Sequence, residues 1–128
     1  EHSREFLYSQ FHKEDSLEQL KSIEEKVNRA LEDAGIFAKL AREHENYGNG
    51  YKSYKNAYSF YKKSLRSLGD AYSISGYFIT HYLCKNVPSC FMDYLFENRD
   101  KAAESYPRIH KLSRRALHKA AKLKIRGK

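Results

Sequence analysis

The sequence predicts an all-α protein, a single-domain bundle of about five helices, and three observations indicate this class. Apolar residues recur at spacings of three and four along most of the chain, as they do on one face of an α-helix. Glycine and proline are scarce, six and two in 128 residues, and mostly separate those periodic segments. No segment of useful length alternates apolar and polar residues in the manner of a half-buried strand. A chain of this length has the size of one domain and can bury a core without metals.

The first predicted helix covers about residues 16–46 and follows an N-terminal arm of residues 1–14. Asp15 and Ser16, followed by Glu18 and Gln19, are typical of a capping box, in which side chains accept the free amides of the first turn. Its apolar stripe consists of Leu20, Ile23, Val27, Ala30, Leu31, Ala34, Phe37, Ala38 and Ala41. A second helix over about residues 51–68 is predicted from Tyr51, Tyr54, Tyr58, Tyr61, Leu65 and Leu68, and Gly69 is expected to end it.

Three further helices complete the prediction. The third begins near Asp70 and contains Ala71, Ile74, Phe78 and Tyr82. Pro88 suits the start of a short fourth helix because its fixed φ fits the first helical turn. Pro107 begins the fifth in the same way, and residues 107–128 form a basic C-terminal helix and tail. The apolar face of that helix is Ile109, Leu112, Ala116, Ala120 and Leu123.

Positive charge is concentrated at the C-terminus. The chain has 24 Lys and Arg against 16 Asp and Glu, a net charge of +8, and its last 22 residues contain nine bases and no acid. We expect eight of these bases to bind a membrane or another polyanion: Arg108, Lys111, Arg114, Arg115, Lys119, Lys122, Lys124 and Arg126. Two interpretations stay open. The segment is either an amphipathic helix that lies in the interface of an anionic bilayer, or a bundle helix with a solvated basic face.

Aromatic residues are more numerous than a small core requires, with eleven Tyr and seven Phe. The tyrosines at positions 51, 54, 58 and 61 form a ladder on one face of the second helix, which we interpret mainly as core packing. Four aromatic residues off this stripe are predicted to form an exposed apolar patch, a feature that usually marks an interaction surface: Tyr47, Phe60, Tyr77 and Phe96.

Sequence patterns for catalysis or metal binding are absent. None of the six histidines belongs to a His-Glu-x-x-His pair, and there is no glycine-rich phosphate loop. We therefore expect no enzyme, no cofactor, no metal and no small-molecule substrate. Nucleic acid is disfavoured as a partner because no known DNA-reading motif accompanies the basic segment. Cys84 and Cys90 are a candidate disulfide in an oxidising compartment and two free thiols in the cytosol.

Residues 76–99 read GYFITHYLCKNVPSCFMDYLFENR, in which a helix bearing Tyr-Phe leads through Leu, Lys-Asn and Pro into a short aromatic segment. This order resembles the abalone sperm acrosomal proteins, the family of lysin and its fusagenic sperm paralogue, over about a fifth of the chain. The matching positions are Tyr77, Phe78, Leu83, Lys85, Asn86, Pro88, Tyr94, Asn98 and Arg99. The Gly127-Lys128 ending is also similar. Two cysteines and a net acidic first helix depart from lysin and favour the fusagenic branch.

The resemblance implies a five-helix protein that is stored in the sperm acrosomal vesicle and secreted at fertilisation. The expected function is that of a non-enzymatic cationic protein that binds anionic egg and sperm membranes and promotes their fusion. A lysin-like alternative would dissolve the egg vitelline envelope by stoichiometric binding to an egg-coat glycoprotein. A third possibility, based on the basic segment alone, is a helical nucleic-acid-binding protein.

Overall fold

The computed structural model describes residues 17–126, which form three long helices: α1 (Leu17–Tyr47), α2 (Tyr51–Tyr82) and α3 (Ser89–Ile125). The connections at residues 48–50 and 83–88 are short, so that successive helices run antiparallel. The described residues contain no strand, which confirms the all-α class, but the predicted count of about five helices is wrong. The predicted N-terminal arm, residues 1–14, lies outside the described residues.

Helix α1 ends at Tyr47, one residue beyond its predicted end, and is helical from the first described residue, Leu17. Its buried residues are spaced by threes and fours, so one stripe faces the rest of the bundle: Leu20, Ile23, Val27, Ala30, Ala34, Ala38 and Ala41. Four of the seven are alanines, which lets the helix approach its neighbour closely. Gly35 lies on the exposed side of the helix and does not interrupt it.

Helix α2 joins the second and third predicted helices, because Gly69 continues the helix and does not end it. The buried stripe keeps its phase across this position, from Leu65 and Leu68 to Ala71 and Ser75. A glycine inside a helix costs about 1 kcal/mol relative to alanine. Burial of the apolar residues on both sides exceeds that cost, since each large buried side chain contributes about 1.5–3 kcal/mol. The tertiary packing therefore overrides the local stop signal.

Helix α3 joins the fourth and fifth predicted helices. Pro88 immediately precedes its first residue, as predicted, but Pro107 lies inside it. A proline there removes the hydrogen bond to the carbonyl group of Ala103 and costs about 3 kcal/mol. Pro107 and Ala103 are both exposed, so water can reach that carbonyl group. Ala102 and Ile109 are buried on either side of the proline and keep the two halves in one register.

Helix α2 is the element on which the other two helices pack, whereas α1 and α3 touch each other little. One core cluster lies at the end of the bundle with the α2–α3 connection and includes Val27, Ile79, Phe91 and Leu95. There the Tyr94 hydroxyl group donates a hydrogen bond to the Glu24 carbonyl oxygen at 3.0 Å, which joins α3 to α1. The second cluster continues along the bundle and is rich in alanine.

If α3 is one helix held by its buried stripe, Pro107→Ala should stabilise the protein by about 2 kcal/mol, because it restores a backbone hydrogen bond. Urea denaturation followed by circular dichroism measures this difference. Arg114→Ala, on the exposed surface of the same helix, is the matched control and should change the free energy of unfolding by less than about 0.5 kcal/mol. Destabilisation by Pro107→Ala would mean that the chain needs a break at this position.

Candidate functional site

The eight C-terminal cations, from Arg108 to Arg126, are all exposed; seven lie on the second half of α3 and Arg126 follows its last residue. The apolar face predicted for this segment is packed against the bundle instead of being free. Ile109, Ala116 and Ala120 are buried, while Leu112 and Leu123 are half-buried. In this structure the segment is thus a bundle helix with a solvated basic face, the second of the two interpretations given above.

These cations are not neutralised by the described part of the chain. Within residues 17–126, none of the eight forms an ion pair with a carboxylate. Arg108, Arg115 and Lys122 follow one another at intervals of seven residues and therefore form a row along one side of α3. Uncompensated charges arranged in this way produce a positive potential that attracts anions and anionic surfaces.

Two of the C-terminal cations contact the tyrosine ladder of α2. The Lys119 ammonium group lies 5.3 Å from the ring centroid of Tyr54, and that of Lys124 lies 5.8 Å from the ring centroid of Tyr51. Such cation–π contacts contribute about 0.5–1 kcal/mol each at exposed sites. They hold the end of α3 beside the start of α2, so the ladder packs the bundle and also positions basic side chains.

The fourth tyrosine of the ladder, Tyr61, is a core residue with 1% of its surface exposed. Its hydroxyl group donates a hydrogen bond of 2.8 Å to Oε1 of Glu45, which links α2 to α1. Burial, together with the bond to this carboxylate and its negative charge, raises the pKa of Tyr61 well above the usual range; Arg42 and Arg115 act in the opposite direction.

The four aromatic residues predicted to form one exposed patch are not brought together. Tyr47 and Tyr77 are 89% and 65% exposed, and Phe96 is partly exposed, but Phe60 is half-buried and stacks on Phe37 and His44. Phe60 and Tyr77 are 17 residues apart on α2, which is about 26 Å along the helix axis. Periodicity shows which face of a helix a residue occupies but not which end of the bundle it shares with residues of other helices.

The most exposed apolar side chains lie at the two ends of the bundle. At one end, Tyr47 closes α1 and Ile125, which is 86% exposed, closes α3. This end also carries Lys119, Lys122 and Arg126. We call it the basic end. At the opposite end, Tyr77 and Leu83, each 65% exposed, flank the end of α2.

A groove between α1 and α3 contains cations that the sequence did not reveal as a group. Arg42 of α1 and Lys101 of α3 line it together with Arg108. Arg42 belongs to a predicted helix with a net acidic sequence, and 66 residues separate it from Arg108. No linear pattern of charge connects these three positions, so only the packing of the helices could have identified them.

The two cysteines are free in the structure; Cys84 is exposed and Cys90 is half-buried. The candidate disulfide between them is therefore not formed in this structure. Among the described residues, no group of three or more His, Cys, Asp or Glu side chains is placed to hold a metal ion. None of the helices in residues 17–126 is sufficiently long and apolar to cross a bilayer.

Comparison with known proteins adds no assignment: no protein-family model, no curated protein and no solved structure matches this chain.

Proposed function

We propose that this protein is a non-enzymatic cationic protein that docks on anionic membranes and promotes their fusion. The observation that carries the proposal is the set of eight exposed C-terminal cations, none of which is paired with a carboxylate of residues 17–126. Each Lys or Arg near an anionic leaflet contributes about 1 kcal/mol, so several acting together hold a protein at the surface.

Docking would occur through the basic end. The exposed side chains of Tyr47 and Ile125 lie there beside Lys122 and Arg126, so that apolar groups enter the headgroup region while cations meet the phosphates. The apolar face of α3 stays against α2 in this mechanism, because Ile109, Ala116 and Ala120 are already buried. The bundle therefore binds as a folded unit.

Fusion needs contact with two bilayers, and the second contact would be made by the opposite end. The 37 residues of α3 extend over about 55 Å, which separates the two ends. Tyr77 and Leu83 present exposed apolar surface at that far end. A molecule with an apolar contact at each end would draw two membranes together and disturb their headgroups without breaking a covalent bond.

The biological setting of the proposal comes from the resemblance of residues 76–99 to abalone sperm acrosomal proteins. From this resemblance we propose that the anionic partners are the egg and sperm membranes and that the process is fertilisation. The protein would be stored in the acrosomal vesicle before secretion. A lysin-like role at an egg-coat glycoprotein is the main alternative.

Docking is tested with a triple variant in which Lys119, Lys122 and Arg126, the cations of the basic end, are each changed to Gln. Loss of three cations at about 1 kcal/mol each should weaken binding to phosphatidylserine-containing vesicles about 100-fold. Vesicle sedimentation at fixed ionic strength measures the affinity.

The matched control removes the same charge elsewhere, by changing Lys26, Lys39 and Arg66 to Gln; these are exposed residues of α1 and α2. It should weaken binding by less than about fivefold, since distant charges are screened. Equal weakening by both triple variants would show that net charge, and not the α3 surface, determines binding. Absence of wild-type binding, with dissolution of isolated vitelline envelopes, would favour the lysin-like alternative.

Fusion is tested separately with a double variant in which Tyr77 and Leu83 are both changed to Ser. It should bind anionic vesicles like the wild type but lose most lipid mixing, because the second bilayer contact is removed. A fluorescence dequenching assay measures mixing. Mixing equal to that of the wild type would exclude a role for the far end, and no mixing by the wild-type protein on anionic vesicles would end the fusion proposal.

A further inference from the structure

A groove runs between α1 and α3 over the middle of α2, because the two outer helices pack on α2 and touch each other little. Its volume is about 220 Å³. Leu68 of α2, Ala34 and Ala38 of α1 and Ile109 of α3 supply its apolar lining. The Ser64 hydroxyl group at its base donates a 2.7 Å hydrogen bond to the Ala34 carbonyl oxygen, so this donor is already used within the protein.

Three cations surround this apolar lining: Arg42, Lys101 and Arg108. All three are exposed, and within residues 17–126 none of them forms an ion pair. Their mutual repulsion falls when an anion lies among them. Two guanidinium groups and one ammonium group suit a phosphate, since arginine binds phosphate oxygens in pairs and lysine contributes a point charge.

The groove combines positive charge with apolar walls, so the ligand that fits it carries both a phosphate and a hydrocarbon part. Inorganic phosphate would satisfy the cations but leave the apolar walls in water. A cavity of about 150 Å³ accepts a molecule of the size of benzene. The space here therefore holds a short length of one acyl chain.

We propose that this groove, which we call the lipid-phosphate groove, binds the phosphate headgroup of an anionic phospholipid together with the first carbons of one acyl chain. This inference rests on the proposed function in that it names the lipid chemistry recognised at the membrane. It assigns a second role to Arg108, which would bind one lipid molecule while the other C-terminal cations act on the surface as a whole.

Gly35 provides a way to close the groove without disturbing the fold. It lines the groove, and a Cβ atom added at this position would meet no atom within 4 Å. In Gly35→Leu the new side chain therefore begins in open space at the groove, where we expect it to occupy the ligand space. Gly76→Leu is the matched control, because a Cβ atom there also meets nothing within 4 Å and Gly76 does not line the groove.

The test is isothermal titration calorimetry with dihexanoyl phosphatidic acid at concentrations where it is monomeric, so that no bilayer is involved. We expect saturable binding with one site per chain. Gly35→Leu should weaken it about tenfold or more through steric overlap. Arg42→Gln should also weaken it about tenfold, since hydrogen bonds to charged groups are lost. Gly76→Leu, and Lys39→Gln as a charge control on α1, should stay within about twofold of the wild type.

Two other probes distinguish the sources of the phosphate. Dihexanoyl phosphatidylcholine should bind much more weakly, because its headgroup has no net charge, and inorganic phosphate should do so because it lacks the acyl chain. Equal binding of inorganic phosphate would overturn the lipid assignment in favour of a simple anion site. Absence of phosphatidic acid binding, or equal affinity in Gly35→Leu and the wild type, would overturn the groove itself.

The outcome is separable from that of the docking proposal. Monomeric lipid binding with no vesicle binding would retain the groove and reject membrane docking. If vesicle binding depends on the C-terminal cations but the protein binds no monomeric lipid, membrane docking is retained and the groove is rejected. Circular dichroism of each variant shows whether it has folded.

Discussion

The packing of α1 and α3 on the two sides of α2 is the constraint on which the rest of this structure depends. The contact surfaces are formed largely by small side chains, such as Ala34 and Ala38 on α1 and Ala57 and Ser64 on α2. Small residues allow close approach of the helix backbones, while large side chains such as Tyr61 and Phe91 are buried elsewhere in the same core. Because both outer helices pack on α2 and touch each other little, the lipid-phosphate groove lies between them.

The same packing determines what the basic segment can do. Burial of Ile109, Ala116 and Ala120 against the bundle removes the apolar face that would otherwise insert into a membrane. The C-terminal cations remain on the outside, and cation–π contacts from Lys119 and Lys124 hold them in place on the tyrosine ladder. A folded surface of fixed positive charge follows, and its most exposed apolar side chains, such as Tyr47 and Ile125, lie at the ends of the bundle.

The sequence predicted the helical class and the C-terminal end of the first helix, because a continuous apolar period is a strong and local signal. It failed at Gly69 and Pro107, where the residues that usually end helices lie within α2 and α3. Their local costs, about 1 and 3 kcal/mol, are small beside the burial of the stripes that continue through them. The length of a helix depends on the helices that pack against it as well as on its own residues. The continuation of α2 through Gly69 and of α3 through Pro107 therefore could not be predicted from the local sequence.

Some features of the candidate site could also be predicted from one segment of sequence, while others depend on how the helices pack. Exposure of the cations from Arg108 to Arg126 was predictable from charge and periodicity within one segment. Two other features could not be predicted, because they depend on how helices distant in sequence are placed. One is that Tyr47 and Phe60 lie apart from Tyr77 and Phe96. The other is that Arg42 and Lys101 line the same groove. The hydropathy of the face containing Ile109 and Ala116 was compatible with either membrane insertion or packing in the bundle. Only the fold shows that this face is packed against the bundle.

Docking as proposed leaves the bundle intact, with the cations outside a packed α3. Amide hydrogen exchange of residues 109–123, measured with and without phosphatidylserine vesicles, tests this most directly. We expect these amides to remain as strongly protected on the vesicles as in solution, while bound protein is released by added salt. Loss of protection in this segment on binding would show that α3 leaves α2 to insert its apolar face, and would contradict docking as a folded bundle.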